Sequence, residues 1–201
     1  MLSKRSAYPL MLNLFAFGSQ AGSSPLARVV MVVAPQKLAD NEYRETRAAL
    51  EKSGAAVTVA GATLEICTGY GDIKVKPDIL IDQVSTEEFE ALIIIGGEGV
   101  IPYLWEHMGL RQLIKNAFTQ NRVVAAICTA PVALARAGVL KGKTATVFAD
   151  PEYIAELKAG GALYRDMPVA VDGNLVTGNG PEASQAFGAK VVGALLTRRW
   201  K

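Results

Sequence analysis

Val123-Val-Ala-Ala-Ile127-Cys128-Thr129-Ala-Pro131-Val-Ala-Leu-Ala135 changes character in the middle. Its first five residues form a continuous apolar run, the mark of a strand covered on both faces. From Ala130 to Ala137 the pattern is helical, and Gly138 stops it. Cys128 stands at the hinge. A strand pins such a residue, a sharp turn exposes it, and the free N–H groups at the start of the new helix favour a thiolate. The arrangement is the thiol counterpart of a nucleophile elbow. The competing reading is a buried structural cysteine, because a free Cys packs as a small hydrophobe.

Working outward, the same strand–helix alternation recurs. Arg28 to Ala34 is an apolar run ended by Pro35, followed by a helix from Glu42 to Ser53 and a second strand from Ala55 to Ala60. Thr63 to Ile81, broken by Gly69, Gly71 and Pro77, reads as short extended pieces at a sheet edge. Ser85 to Glu88 matches a capping box. Ala91 to Ile95 is a buried strand running into Gly96-Gly97-Glu98-Gly99, and Leu110 to Thr119 is helical. After the elbow come a strand from Thr144 to Phe148 and a helix capped by Asp150 and opened by Pro151. A hairpin turning at Asp172-Gly173 and a last helix from Pro181 to about Leu196 follow. This order predicts an α/β sandwich with a mostly parallel sheet, whose ligands sit beyond the carboxyl ends of its strands. Cys128, the Gly96-Gly97 pair and the loop after Ala34 all lie at such ends.

Size and composition narrow the rest. The chain has 201 residues, half of them apolar and a fifth charged, which suits one domain with a self-sufficient core. A net charge of +2, with no basic run interleaved with aromatics, argues against nucleic acid and anionic membrane partners. The two cysteines, Cys67 and Cys128, are read as reduced and the protein as cytoplasmic. Residues 1–28 are set apart as a leader, with 29–201 as the domain. Lys4 and Arg5 precede an apolar stretch from Ala7 to Phe17 and a small-residue segment containing Ser19-Gln20-Ala21, like a short secretory signal. Pro9 and Asn13 interrupt that stretch, and export is kept as the alternative.

The chemistry expected at the crevice begins with donors for an oxyanion. The Thr129 N–H comes free at the elbow, and glycines at 96 and 97 let a second backbone segment approach. Glu42, at the start of the first helix, is the candidate acid–base group. Burial near a thiol would raise its pKa, whereas the plain alternative is a solvated first-turn glutamate favoured by the helix dipole. His107, the single histidine, precedes a helix and reads as an exposed residue there. A metal centre is not expected, since the sequence holds no second histidine and no Cys-x-x-Cys.

Taken together, Ile95-Gly-Gly-Glu-Gly99, Ala126-Ile-Cys-Thr-Ala-Pro131, Ala137-Gly-Val-Leu-Lys-Gly142, Val171-Asp-Gly-Asn-Leu-Val-Thr177 and Gly178-Asn-Gly-Pro181 resemble the ThiJ/PfpI (DJ-1) superfamily, from about Arg28 to Leu196. The resemblance implies a flavodoxin-like three-layer sandwich, commonly a homodimer or higher homo-oligomer. It also implies Cys128 as nucleophile, Glu42 as the carboxyl contacting the thiol, and Gly97 and Thr129 as backbone donors of the oxyanion pocket. Two departures stand out. Thr129 occupies the place where peptidase-like members carry histidine, and Phe148 the place where deglycase-like members often do. No histidine follows His107 to serve an amidotransferase. The expectation is therefore a cofactor-independent cysteine enzyme on small α-oxoaldehydes or early glycation adducts, with oxidation sensing through Cys128 as the alternative and peptidase activity behind both.

Overall fold

The computed structural model describes residues 25–199. The leader reading falls outside these residues except at its end, where Ala27 is already buried and Leu26 N–H donates to Gly54 C=O. Eleven strands are present among the described residues: β1 Arg28–Val33, β2 Ala56–Gly61, β3 Cys67–Thr68, β4 Lys74–Val75, β5 Ile79–Leu80, β6 Ala91–Ile94, β7 Val123–Ile127, β8 Thr144–Ala145, β9 Leu163–Tyr164, β10 Val169–Asp172 and β11 Leu175–Gly178. The helices are α1 Asp40–Lys52, α2 Val100–Tyr103, α3 Met108–Thr119, α4 Pro131–Arg136, α5 Pro151–Ala159 and α6 Ser184–Arg199. None is long and apolar enough to cross a membrane.

Seven strands form one sheet in the order β10-β11-β7-β6-β1-β2-β5, parallel throughout except for β10 against β11. Side chains alternate between its faces, as strand geometry requires. Val30, Val32, Leu92, Ile94, Val124 and Ala126 pack with Leu110 and Ile114 of α3 and Val132 and Leu134 of α4. Val29, Met31, Ile93, Ile95, Ala125 and Ile127 pack on the other face with Tyr43 and Leu50 of α1 and Phe187 and Val191 of α6. Because both faces are covered, the strands read as unbroken apolar runs. The result is the flavodoxin-like three-layer sandwich that the sequence predicts.

Sheet order also locates the crevice. From β1 the chain passes through α1 to β2 on one side, whereas β6 passes through α3 to β7 on the other. The loops after β1 and β6 therefore part company at neighbouring strand ends, the switch point where α/β sheets bind ligands. Cys128 follows β7, the next strand along.

Three local readings need correction. The predicted strand at Thr144–Phe148 shrinks to Thr144–Ala145, paired with β9 outside the main sheet. Its N–H groups go elsewhere: Thr144 donates to Asp172 Oδ2 (2.8 Å), Thr146 to Thr177 Oγ1 (3.0 Å) and Phe148 to Cys128 C=O (3.0 Å). The hairpin strand β10 has taken the edge that this segment would need. At Ser85–Glu88 a single 3₁₀ turn forms, and Ser85 Oγ accepts from Glu87 N–H at 3.4 Å instead of closing a full capping box. His107 is half-buried, and its Nδ1 accepts from Leu110 N–H, so it caps α3.

Candidate active site

Cys128 adopts φ +64°, a left-handed conformation that non-glycine residues seldom hold. Surrounding bonds impose it. Cys128 N–H donates to Gly178 C=O (3.0 Å), and Cys128 C=O accepts from Phe148 N–H (3.0 Å). Thr129 Oγ1 donates to Gly97 C=O (2.8 Å), while Trp105 Nε1–H donates to Thr129 C=O (3.0 Å). The turn out of β7 is thus anchored to four other segments, which holds the strained residue in place.

Gly96 and Gly97 bring α1 and the elbow together. Gly96 N–H donates to Glu42 Oε2 at 3.0 Å, and Gly96 C=O accepts from Ala39 N–H at 3.1 Å. A Cβ on Gly96 would lie 2.5 Å from Cys128 Cβ and 2.6 Å from Glu42 Oε2, so both side chains lie against this glycine. Its predicted place among the oxyanion donors changes accordingly: the Gly96 N–H is spent on the carboxyl and clamps Glu42. The Gly97 and Thr129 N–H groups instead face the Cys128 sulfur, where each favours negative charge. Gly97 holds φ +112°, and a Cβ there would sit 2.1 Å from Lys37 C=O. Gly97→Ala is expected to destabilise the fold by on the order of 3 kcal/mol, read as a fall in the urea midpoint.

Glu42 is fully buried and is not the solvated first-turn glutamate of the plain reading. Burial pushes its pKa up to about 7, against the opposing pull of Cys128 and the Gly96 N–H. Its Oε1 has no partner with full hydrogen-bond geometry among the described residues. Cys128 is 7% exposed, and burial followed by the neighbouring Glu42 charge pushes its thiol above the ordinary range. The N–H groups of Gly97 and Thr129 offset this only in part. Against the thiolate that the helix-start donors favour, burial and the Glu42 charge push the sulfur towards its protonated form, with the Glu42 carboxyl beside it. That state does not favour rapid oxidation, which needs an accessible thiolate. Cys67 is a second free thiol, fully buried.

A cavity of about 590 Å³ opens above this pair. Phe148, 44% exposed, lines it together with Pro181, so this side of the cavity is an apolar wall. The turn between β3 and β4 forms the opposite wall through Tyr70, Gly71 and Asp72. That turn is held by Asp40 at the start of α1, whose carboxylate accepts from Gly71 and Ile73 N–H at 3.2 Å. Tyr70 OH accepts from Glu98 N–H (2.7 Å), and Arg44 pairs with Asp72 (2.8 Å). Sequence reading missed Tyr70, Tyr153 and Trp105. The only available signal was that Tyr70 and Trp105 punctuate segments rich in Gly; Tyr153, inside a helix, left none.

An α/β sandwich with a cysteine elbow, a buried partner carboxyl and two facing backbone N–H groups defines a class of thiol-centred proteins. The chain belongs to the DJ-1/PfpI family, whose model matches residues 27–194. It is 43% identical over 169 residues to an uncharacterized protein of Methanocaldococcus jannaschii, covering 84% of this chain and 82% of that one. It is 32% identical over 135 residues to the protein named deglycase PfpI of Pyrococcus furiosus, covering 66% and 78%. The crystal structure of a ThiJ/PfpI domain protein from Brachyspira murdochii superposes with a TM-score of 0.81 at 29% identity, covering 85% of this chain and 96% of that one.

Proposed function

We propose that this protein is a cofactor-independent cysteine enzyme acting on small α-oxoaldehydes such as methylglyoxal, or on the early glycation adducts they form. The packing of Cys128 and Glu42 against Gly96, beneath a cavity lined by Gly97 and Thr129, carries the reading. The deglycase name of the Pyrococcus furiosus relative supports the reaction class.

The residues suit an internal redox exchange that needs no outside oxidant. The sulfur attacks the aldehyde carbon as Glu42 takes the thiol proton, forming one C–S bond and opening the C=O π bond. The new oxyanion is received by the N–H groups of Gly97 and Thr129. Glu42 hands the thiol proton to that oxygen and, a carboxylate again, removes the hydrogen on that carbon as a proton. The electron pair moves onto the neighbouring carbonyl oxygen to give an enediolate. The hydroxyl proton passes to that second oxygen as Glu42 returns its proton to the neighbouring carbon and the thioester C=O forms. The first carbon rises to the acid level while the second falls to the alcohol level. Water cleaves the resulting thioester, releasing the hydroxyacid and restoring the thiol. A carboxyl titrating at about 7 exchanges protons in both directions at neutral pH.

The test is product analysis in deuterium oxide with purified protein and methylglyoxal. Lactate carrying solvent deuterium at C2 is expected, because the migrating hydrogen passes through an exchangeable carboxyl. No lactate from the wild-type protein would overturn the reading, and lactate lacking deuterium would replace proton transfer with a hydride shift.

A further inference from the structure

An α-oxoaldehyde carries two oxygens on adjacent carbons, and the Gly97 and Thr129 N–H groups account for one. The second oxygen needs a donor from the cavity wall. The Thr129 hydroxyl is committed to Gly97 C=O, while Arg44, which pairs with Asp72 through one N–H group, and Asn41 are exposed at the rim. Tyr70 OH accepts from Glu98 N–H and keeps its own proton, but Tyr70 stands on the exposed turn, 56% accessible, where water competes for it. Tyr153, on the first turn of α5, is different. It lines the cavity with Cys128 as well as the neighbouring pocket beside Tyr103, and its hydroxyl makes no hydrogen bond within the described residues.

The ring of Tyr153 is also held in register with the elbow. It meets the Trp105 ring edge-on, with centroids 5.5 Å apart and planes at 86°. The Trp105 indole N–H in turn holds Thr129 C=O at 3.0 Å. Arg136 covers Trp105 at 4.7 Å from the ring centroid and is itself paired with Glu156 of α5 at 2.8 Å. Elbow, Trp105 and Tyr153 therefore form one packed unit, and the phenol is placed relative to the sulfur by ring contacts instead of by its own hydrogen bond. Burial, and then the negative charges around it, hold the phenol protonated as a donor.

We infer that Tyr153 is a substrate-contacting residue whose hydroxyl donates to the oxygen on the carbon next to the one Cys128 attacks. This rests on Cys128 being the attacking sulfur. It restricts the substrates to carbonyl compounds with an oxygen on the adjacent carbon, and it assigns to a phenol part of the work left by the absent histidine.

The test compares methylglyoxal with propionaldehyde, which lacks the second oxygen, as reversible protectors of Cys128 against iodoacetamide at pH 8. Labelling is read by peptide mass mapping, and N-acetylcysteine supplies the intrinsic preference between the two aldehydes. In the wild type the preference for methylglyoxal should exceed that of N-acetylcysteine. In Tyr153→Phe it should fall about fivefold, the worth of one neutral hydrogen bond, while propionaldehyde protection stays unchanged. Phe keeps the ring edge on Trp105, so the loss isolates the hydroxyl. A preference unmoved by Tyr153→Phe, or a wild-type preference no greater than that of the free thiol, overturns the assignment. The readout does not depend on turnover. Lactate production with an unmoved preference sinks the Tyr153 role alone, whereas a shifted preference without lactate sinks only the proposed reaction.

Discussion

Glu42→Gln is expected to yield a protein that is more stable than the wild type at pH 8 and inactive towards methylglyoxal. The carboxyl pKa rises from 4.5 in an unfolded chain to about 7 in the fold, so the folded state binds this proton more tightly. The favourable contribution is complete below pH 4.5 and is lost as pH climbs through about 7. The gap corresponds to about 3 kcal/mol of strain from burying the ionised form. Glutamine cannot ionise, and its amide oxygen can still accept from Gly96 N–H. Denaturant unfolding should therefore find the two proteins close at pH 4.5, and the variant ahead by about 3 kcal/mol at pH 8. Wild-type kcat/KM should run the other way, rising through about pH 7 as the base form appears. Equal pH dependence of stability in the two proteins would show that Glu42 carries no such strain.

Cys128→Ser should lower methylglyoxal turnover by about three orders of magnitude or more while leaving the unfolding midpoint near that of the wild type. The replacement is nearly isosteric, and its hydroxyl can occupy the same space between Glu42 and the backbone donors. An alcohol is far harder to deprotonate than a thiol and is the weaker nucleophile, and among the described residues the site holds no histidine to activate it. The paired measurements separate chemistry from folding. Wild-type rates of lactate formation in Cys128→Ser would sink the thiol mechanism outright.

Much of the scaffold was legible because burial on both faces writes itself into sequence. The apolar runs at Val29–Val33, Ala91–Ile95 and Val123–Ile127 have no other economical explanation. The hinge at Cys128 follows from the change of pattern, whereas position alone leaves Glu42 equally a solvated first-turn glutamate, and its burial shows only in the fold. What failed depended on partners far away in the chain. Thr144–Phe148 has strand-like residues, yet its N–H groups are claimed by Asp172, Thr177 and Cys128. The Gly96 N–H belongs to a glutamate 54 positions away, which no local pattern reveals. The influences on the sulfur's proton were only half legible for a related reason. Helix-end donors can be inferred from the turn, but the larger opposing effects, burial and the Glu42 charge, exist only once the layers close.

The glycine floor has a consequence for how such a protein can diverge. Side chains at Gly96, Gly97 and Gly99 would begin 2.5, 2.1 and 1.8 Å from neighbouring atoms, so the ground beneath Cys128 and Glu42 is closed to substitution. Tyr70, Asp72 and Phe148 stand exposed around the mouth, where exchange meets little steric resistance. Drift is thereby channelled to the rim. A lineage built on this site can change what it admits without rebuilding the atoms that react.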